Sequence, residues 1–218
     1  LEGNVYAFDS TTIDLCLSVF WWAKFRKKKG GIKVHTLYDV ETQIPAFFHI
    51  TEASVHDSTA MKEIPYESGS YYIFDRAYNH FKILYKIHQI GAFFVVRAKK
   101  NLQYKIIKWK RRLSKNVLSD VTIELTGFYP KQYYPEHLRL VRYWDEDQKR
   151  VLVFLTNTMH ISALQVAELY KNRWQVELFF KWLKQHLKIK KFWGTTENAV
   201  RIQIYVAMCT YCLVAIVQ

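Results

Sequence analysis

Acid is in short supply in this 218-residue chain: 19 Asp and Glu stand against 32 Lys and Arg, a formal net charge of +13. That imbalance favours a polyanionic partner, nucleic acid ahead of an anionic membrane surface. Cysteine is scarcer still. Cys16, Cys209 and Cys212 form an odd, sparse set, which argues against a disulfide scaffold and fits a reducing cytosol. Cys209 and Cys212 spell C-x-x-C in an apolar, helical run with no second pair, so both are expected to be buried thiols. The first residues, Leu-Glu-Gly-Asn, lack the basic stretch and apolar run of a secretory signal. There is no internal repeat and no low-complexity tract. Long apolar runs reduce to one, 202–217, with Arg201 before it and Gln203 inside it. This reads as a buried core helix, not a membrane span, and no membrane partner is expected. The run stops in mid-pattern and residue 1 is not Met, so a central piece of a longer protein is expected.

What is present is a folding chain. Hydrophobic residues make up 50%, enough for one substantial core with an inserted subdomain. Residues 4–9 read as a short strand ending in Asp9, followed by a turn-like Ser10-Thr11-Thr12. Residues 32–38 alternate and are β-branched, residues 44–51 give another strand pattern, and the two are expected to pair antiparallel. Asp57 or Ser58 is placed to cap a short helix running to Ile64. Residues 70–75 form a second strand ending in an acid, Asp75. A helix over 79–90, closed by Gly91, and a buried strand over 92–97 follow, an order that implies a parallel strand pair. Residues 98–158 are polar, basic and aromatic with β-like pieces, and read as a β-rich insertion. A long helix then starts at Ser162 and runs to about residue 190, with a last helix from Glu197. The expected organisation is a core begun by 1–97, an insertion over 98–158, and helices over 159–218 that complete the core. The fold class is α/β, a mixed sheet with flanking helices.

The most informative residues lie on the long helix. Tyr170, Arg173, Glu177 and Lys184 follow the spacing Tyr-x2-Arg-x3-Glu-x6-Lys. On a continuous helix at 100° per residue they fall within about 60° of one another. One stripe would then carry a carboxylate suited to a hard metal ion, and two cations and a phenol suited to phosphate oxygens. Asp9 and Asp75, each ending an apolar strand, are the further candidates. Three converging carboxylates would repel one another unless cations bind. Two hard cations about 4 Å apart could activate a water or a 3′-hydroxyl and stabilise a leaving oxygen. No Ser–His or Cys–His pairing suggests a covalent route.

These residues resemble the catalytic core of bacterial insertion-sequence transposases of the DDE class, in the group marked by a Tyr-Arg-Glu-Lys signature. Tyr170, Arg173, Glu177 and Lys184 match that signature without a gap. Ala7-Phe8-Asp9-Ser10-Thr11-Thr12 is similar to the family's first aspartate block. The stretch from Phe74-Asp75-Arg76 to Arg97-Ala98-Lys99 is similar to the second. The resemblance covers nearly the whole chain. It implies a ribonuclease H-like fold with a β-rich insertion before the last catalytic helix. It implies Asp9, Asp75 and Glu177 as catalytic ligands of two Mg²⁺ ions, with Mn²⁺ able to substitute. It also implies Tyr170, Arg173 and Lys184 as contacts to DNA. The implied reaction is metal-dependent cleavage at transposon ends, then strand transfer by the freed 3′-hydroxyl. The implied partners are double-stranded DNA, as terminal inverted repeats and target, and a second copy in a full-length homodimer. The implied location is the bacterial cytoplasm, on the nucleoid when bound. Some members carry a tryptophan on the insertion strand before the last helix; here Leu152 lies near that place and Trp144 on the preceding strand.

Two other readings stay open at this stage, a catalytically silent DNA-binding derivative and a ribonuclease H-like nuclease. His56 could approach a metal site, or lie exposed beside a helix-capping Asp57. Residues 99–112 hold seven Lys or Arg with Tyr104 and Trp109 among them, a DNA backbone track or a solvated hairpin. Residues 24–33 hold six Lys or Arg, a DNA clamp or a basic hairpin tip. Lys181, Lys188, Lys190 and Lys191 join Lys184 in making the helix end basic, which suits a helix C-terminus in any case.

Overall fold

A computed structural model describes residues 2–26, 29–186 and 192–217, with the side chains of 24–29 left aside. In chain order come β1 (Val5–Leu15), β2 (Lys24–Arg26), β3 (Lys29–Asp39), β4 (Pro45–Glu52), α1 (Asp57–Ala60), β5 (Tyr71–Phe74), α2 (Phe81–Gln89) and β6 (Phe93–Arg97). They continue with β7 (Tyr104–Trp109), β8 (Val117–Leu125), α3 (Phe128–Tyr133), β9 (Leu138–Asp145), β10 (Arg150–Thr156), α4 (Ala163–Lys171), α5 (Arg173–His186) and α6 (Glu197–Val217). The chain divides into two compact units: Leu1–Tyr6 with Pro65–Arg173, and Ala7–Ile64 with Trp174–Gln218.

In the unit of Pro65–Arg173, β5 and β6 pair in parallel, Tyr71 opposite Phe93 and Phe74 opposite Val96. The connection between them is α2, closed by Gly91 at φ +79°, the left-handed backbone that glycine adopts without strain. β10 pairs antiparallel with β6, and β9, β8 and β7 follow as an antiparallel meander. The short loop over 146–149 joins β9 to β10 and suits only antiparallel pairing, while α3 lies in the connection between β8 and β9. α4 covers the sheet with Val166, Ala167, Leu169 and Tyr170 against Tyr71, Ile73, Val95 and Phe154. It starts with a capping box: Ser162 Oγ accepts from the Gln165 amide at 3.2 Å, and Gln165 Oε1 from the Ser162 amide at 2.8 Å.

In the unit of Ala7–Ile64 with Trp174–Gln218, β3 and β4 pair antiparallel through Ile32–Glu52 to Tyr38–Pro45, as expected. β2 pairs with the first residues of β3, and β1 is a further neighbour of β3. A Cβ on Gly30 would lie 2.9 Å from the Ala23 carbonyl oxygen and 3.0 Å from that of Leu15, so glycine is what lets β3 pass here. Val176, Phe179, Phe180 and Leu183 of α5, with Val200, Ile204, Ala207 and Met208 of α6, pack on Ala7, Ile13, Val34 and Ile50.

Several expectations need correction. Asp9 does not end its strand: Ser10, Thr11 and Thr12 continue β1 to Leu15. Their hydroxyls suggest a turn, but Thr11, Thr12 and Ile13 are β-branched and suit a strand. The long helix is two helices. α4 ends with a cap at Asn172, whose amide bonds the carbonyls of Leu169 and Tyr170, and α5 begins at Arg173. Tyr170 is therefore on a different helix from Glu177 and Lys184, and the angular argument does not carry across Asn172. The cap of α1 is His56, whose ring accepts from the Ser58 amide. α6 is not fully buried. Val200, Ile204, Ala207 and Met208 face the core, while Ile202, Val206, Leu213 and Ile216 are exposed. Among the described residues it is the one helix long and apolar enough to cross a membrane. Cys209 is exposed and Cys212 half-buried, so they are not buried thiols. Lys188, Lys190, Lys191, Lys27 and Lys28 lie outside the described residues.

Candidate functional site

Asp9 and Glu177 line one cleft of about 560 Å³, together with Ser10, Thr11, Phe180, Lys181, Lys184 and Gln185. β1 supplies Asp9, Ser10 and Thr11, and α5 supplies Glu177 with the two lysines. Glu177 and Lys184 are seven residues apart on α5, so they project within about 20° of each other. Val176, Phe180 and Leu183 anchor the same helix in the core, which holds the cleft-facing side in place. Asp9 Oδ1 accepts from the Ser10 amide at 2.8 Å, which limits rotation of the carboxylate. The polar groups here are carboxylate, hydroxyl and carboxamide with two ammonium groups, and no imidazole or thiol. Hard oxygen donors suit Mg²⁺ or Mn²⁺, and Mg²⁺ sites commonly combine one or two carboxylates with substrate phosphates. Lys181 was read from sequence only as a helix-end cation, and its position on the cleft wall depends on the pitch of α5.

Asp75, Tyr170 and Arg173 form a second cluster within the other unit. Tyr170 Oη donates to Asp75 Oδ1 at 3.2 Å. The Tyr170 ring is buried and packs on Phe154, with ring centroids 4.8 Å apart. The Arg173 guanidinium carbon lies 5.8 Å from the Tyr170 ring centroid, a cation–π distance. Burial pushes the Tyr170 phenol up, and Asp75 adds to this; Arg173 and Arg97 act in the opposite direction. Tyr170 therefore remains a protonated donor at neutral pH. Asp75 itself precedes a single 3₁₀ turn, Arg76–Tyr78, with its carbonyl accepting from the Tyr78 amide at 3.1 Å and its side chain making no cap. Asn79 holds that turn to the end of β6, donating to the carbonyls of Arg76 and Arg97 at 2.8 Å each. Arg76 Nε bonds the Ala98 carbonyl at 3.1 Å. The basic end of β6 was visible in the sequence; the tie through Asn79 was not, because Asn79 reads simply as a helix start.

His56 is committed to α1, with Nδ1 2.8 Å from Ser58 Oγ and 3.2 Å from the Ser58 amide. Leu152 is buried in β10, and Trp144 of β9 sits opposite Val151. β7 carries Tyr104, Ile107 and Trp109 exposed among its lysines. Among the described residues no group of three or more His, Cys, Asp or Glu side chains is assembled as a metal cage.

Known proteins are similar to this chain over nearly its whole length. The family model for the transposase DDE domain matches residues 1–213. A curated Sinorhizobium fredii protein named as a transposase is 37% identical over 214 residues, 95% of this chain and 59% of that protein. A protein of Geobacillus stearothermophilus, named as a transposase for an insertion sequence element, is 33% identical over 208 residues, 94% of this chain and 54% of its own. The chain thus spans somewhat more than half the length of these relatives. A solved piggyBac transposase synaptic complex with hairpin DNA superposes with a TM-score of 0.53 at 12% identity, over 93% of this chain and 44% of that one. At that identity the likeness concerns the fold, the ribonuclease H-like α/β architecture expected from the sequence. With the family pattern matched from residue 1 to 213, across both acidic strands and the helix bearing Glu177, the chain belongs to the transposase DDE domain family.

Proposed function

We propose that this chain is the catalytic core of a DNA transposase that cleaves DNA at transposon ends and joins the freed 3′-hydroxyl to target DNA. The observation that carries the reading is the cleft lined by Asp9 and Glu177 together with Lys181 and Lys184. Family membership supports it. Asp9, Asp75 and Glu177 are the carboxylates we assign to two Mg²⁺ ions, with Mn²⁺ able to substitute. Bound there, divalent ions would lower the pKa of the attacking hydroxyl and neutralise charge on the departing oxygen.

The chain's own groups do the remaining work. Lys184 and Lys181 attract the phosphate that enters the cleft, and Arg173 supplies a further permanent cation. Tyr170 holds one oxygen of Asp75 with its single hydroxyl proton, orienting that carboxylate; it would donate to a DNA phosphate only by exchanging Asp75 for it. The net charge of +13 and the basic, aromatic β7 suit a long duplex partner more than a small substrate. In the full-length protein we propose a homodimer acting on paired terminal repeats in the bacterial cytoplasm, with no membrane role.

The test is end cleavage by the full-length protein on DNA carrying its terminal repeats, with Asp9→Asn, Asp75→Asn and Glu177→Gln compared. Each variant should fold, bind DNA and fail to cleave in Mg²⁺ or Mn²⁺. A variant that still cleaves removes that residue from the assignment. Cleavage without any divalent ion removes the metal reading altogether.

A further inference from the structure

Next to the acidic cleft, four residues from three elements form one connected chain, with the Ser10 backbone amide as one link. The Ser10 amide donates to Asp9 Oδ1 at 2.8 Å. The Ser10 hydroxyl donates to Asp57 Oδ1 at 2.9 Å. Lys33 Nζ lies 3.1 Å from the same Asp57 oxygen and donates to the Val55 carbonyl at 2.8 Å. The ion pair is largely shielded, with 13% of the Lys33 side chain and 27% of the Asp57 side chain exposed. Shielding makes the pair stiffer and stronger than a surface contact. Sequence reading treats Asp57 as a helix cap, but His56 takes that role. The Asp57 carboxylate is left to engage Ser10 and Lys33.

We propose that Asp57, held by Lys33, is a positioning residue that sets Asp9 for metal binding through Ser10. The inference rests on the reading of Asp9 as a metal ligand. Ser10 is the pivot: one of its groups grips the Asp9 carboxylate while the other is fixed from α1. Asp9 thus enters metal binding with part of its rotational freedom already lost, and less entropy remains to be lost on coordination. Residues that orient a metal ligand through hydrogen bonds tune its affinity for the metal; here Ser10 is one hydrogen bond from Asp9 and Asp57 two.

The experiment is a Mn²⁺ titration of the purified chain, followed by the electron paramagnetic resonance of free Mn²⁺, with a thermal melt of every variant. Ser10→Ala and Asp57→Ala should each weaken Mn²⁺ binding by about tenfold or more, and Ser10→Thr, which keeps the hydroxyl, should restore it. A merely structural role would lower the melting temperature and leave the affinity of the folded protein unchanged. If Asp57→Ala does not fold, Ser10→Ala against Ser10→Thr decides alone. Wild-type affinity in Ser10→Ala, with affinity lost in Asp9→Ala, overturns the positioning role and leaves the proposed function standing. Equal binding by wild type and Asp9→Ala overturns the metal reading of Asp9, and the positioning role with it.

Discussion

Replacing Asp120 by alanine should be among the most damaging single changes in the β-rich part of the chain. Arg139 and Asp120 are 4% exposed each and joined by two bonds, Nε to Oδ1 at 2.7 Å and Nη2 to Oδ2 at 2.8 Å. Arg139 Nη1 also donates to the carbonyl of Ile161 at 2.7 Å, just before the Ser162 cap of α4. The pair therefore fastens β8, β9 and the entry to α4 at one point. In Asp120→Ala the guanidinium stays buried without its counter-charge. Removing one partner of a buried pair costs about 3–5 kcal/mol. At roughly 2–4 °C per kcal/mol for a chain of this size, the melting temperature should fall by roughly 6–20 °C. Replacing both residues with hydrophobic ones of similar volume, Asp120→Leu with Arg139→Met, should cost far less than Asp120→Ala alone, because no charge is stranded. Urea denaturation of wild type, Asp120→Leu, Arg139→Met and the double variant, with Asp120→Ala as a fifth protein, measures both terms. A loss below about 1 kcal/mol for Asp120→Ala would place the pair in the class of exposed salt bridges and refute the argument. A double variant as unstable as the sum of the singles would refute it too.

Three further outcomes are expected. His35 is fully buried and burial drives its pKa down to about 4. The unfolded chain binds the proton first, so stability should be complete above about pH 6.5 and decline as pH falls toward 4, by on the order of 3 kcal/mol; a ring that titrates near 6.5 by NMR would contradict this. Ser162→Ala removes one side of the capping box and should cost about 1 kcal/mol in urea denaturation, with no change in DNA affinity. Tyr170→Phe removes the donor to Asp75 and should change stability by only about 0.5–1.5 kcal/mol while slowing end cleavage by the full-length protein. Unchanged cleavage would remove Tyr170 from the site.

Asp75 and the pairing of Glu177 with Lys184 were legible because they depend on local order. Asp75 follows an apolar strand, and Glu177 and Lys184 repeat at helical spacing on a helix whose other face is apolar. The parallel pair of β5 and β6 was legible for a similar reason, since strand, helix and strand in succession leave few alternatives. Asn172 shows the limit. Nothing in the composition of 162–190 distinguishes one helix from two, and the cap that separates them is a matter of which carbonyls one amide reaches.

What the sequence determined by itself is the class of chemistry and the elements that carry it: hard acids, permanent cations and a basic surface on a mixed α/β chain. These follow from residue type and short-range spacing. Tertiary structure alone decided which groups touch. It put Asp9 in mid-strand and Lys181 on the cleft wall with Glu177, and it brought Lys33, Ser10 and Asp57 together from three elements. It also buried Asp120 against Arg139, 19 residues away. Such contacts come from sheet register and helix packing, which sum many weak interactions over the whole fold, and no local spacing records them.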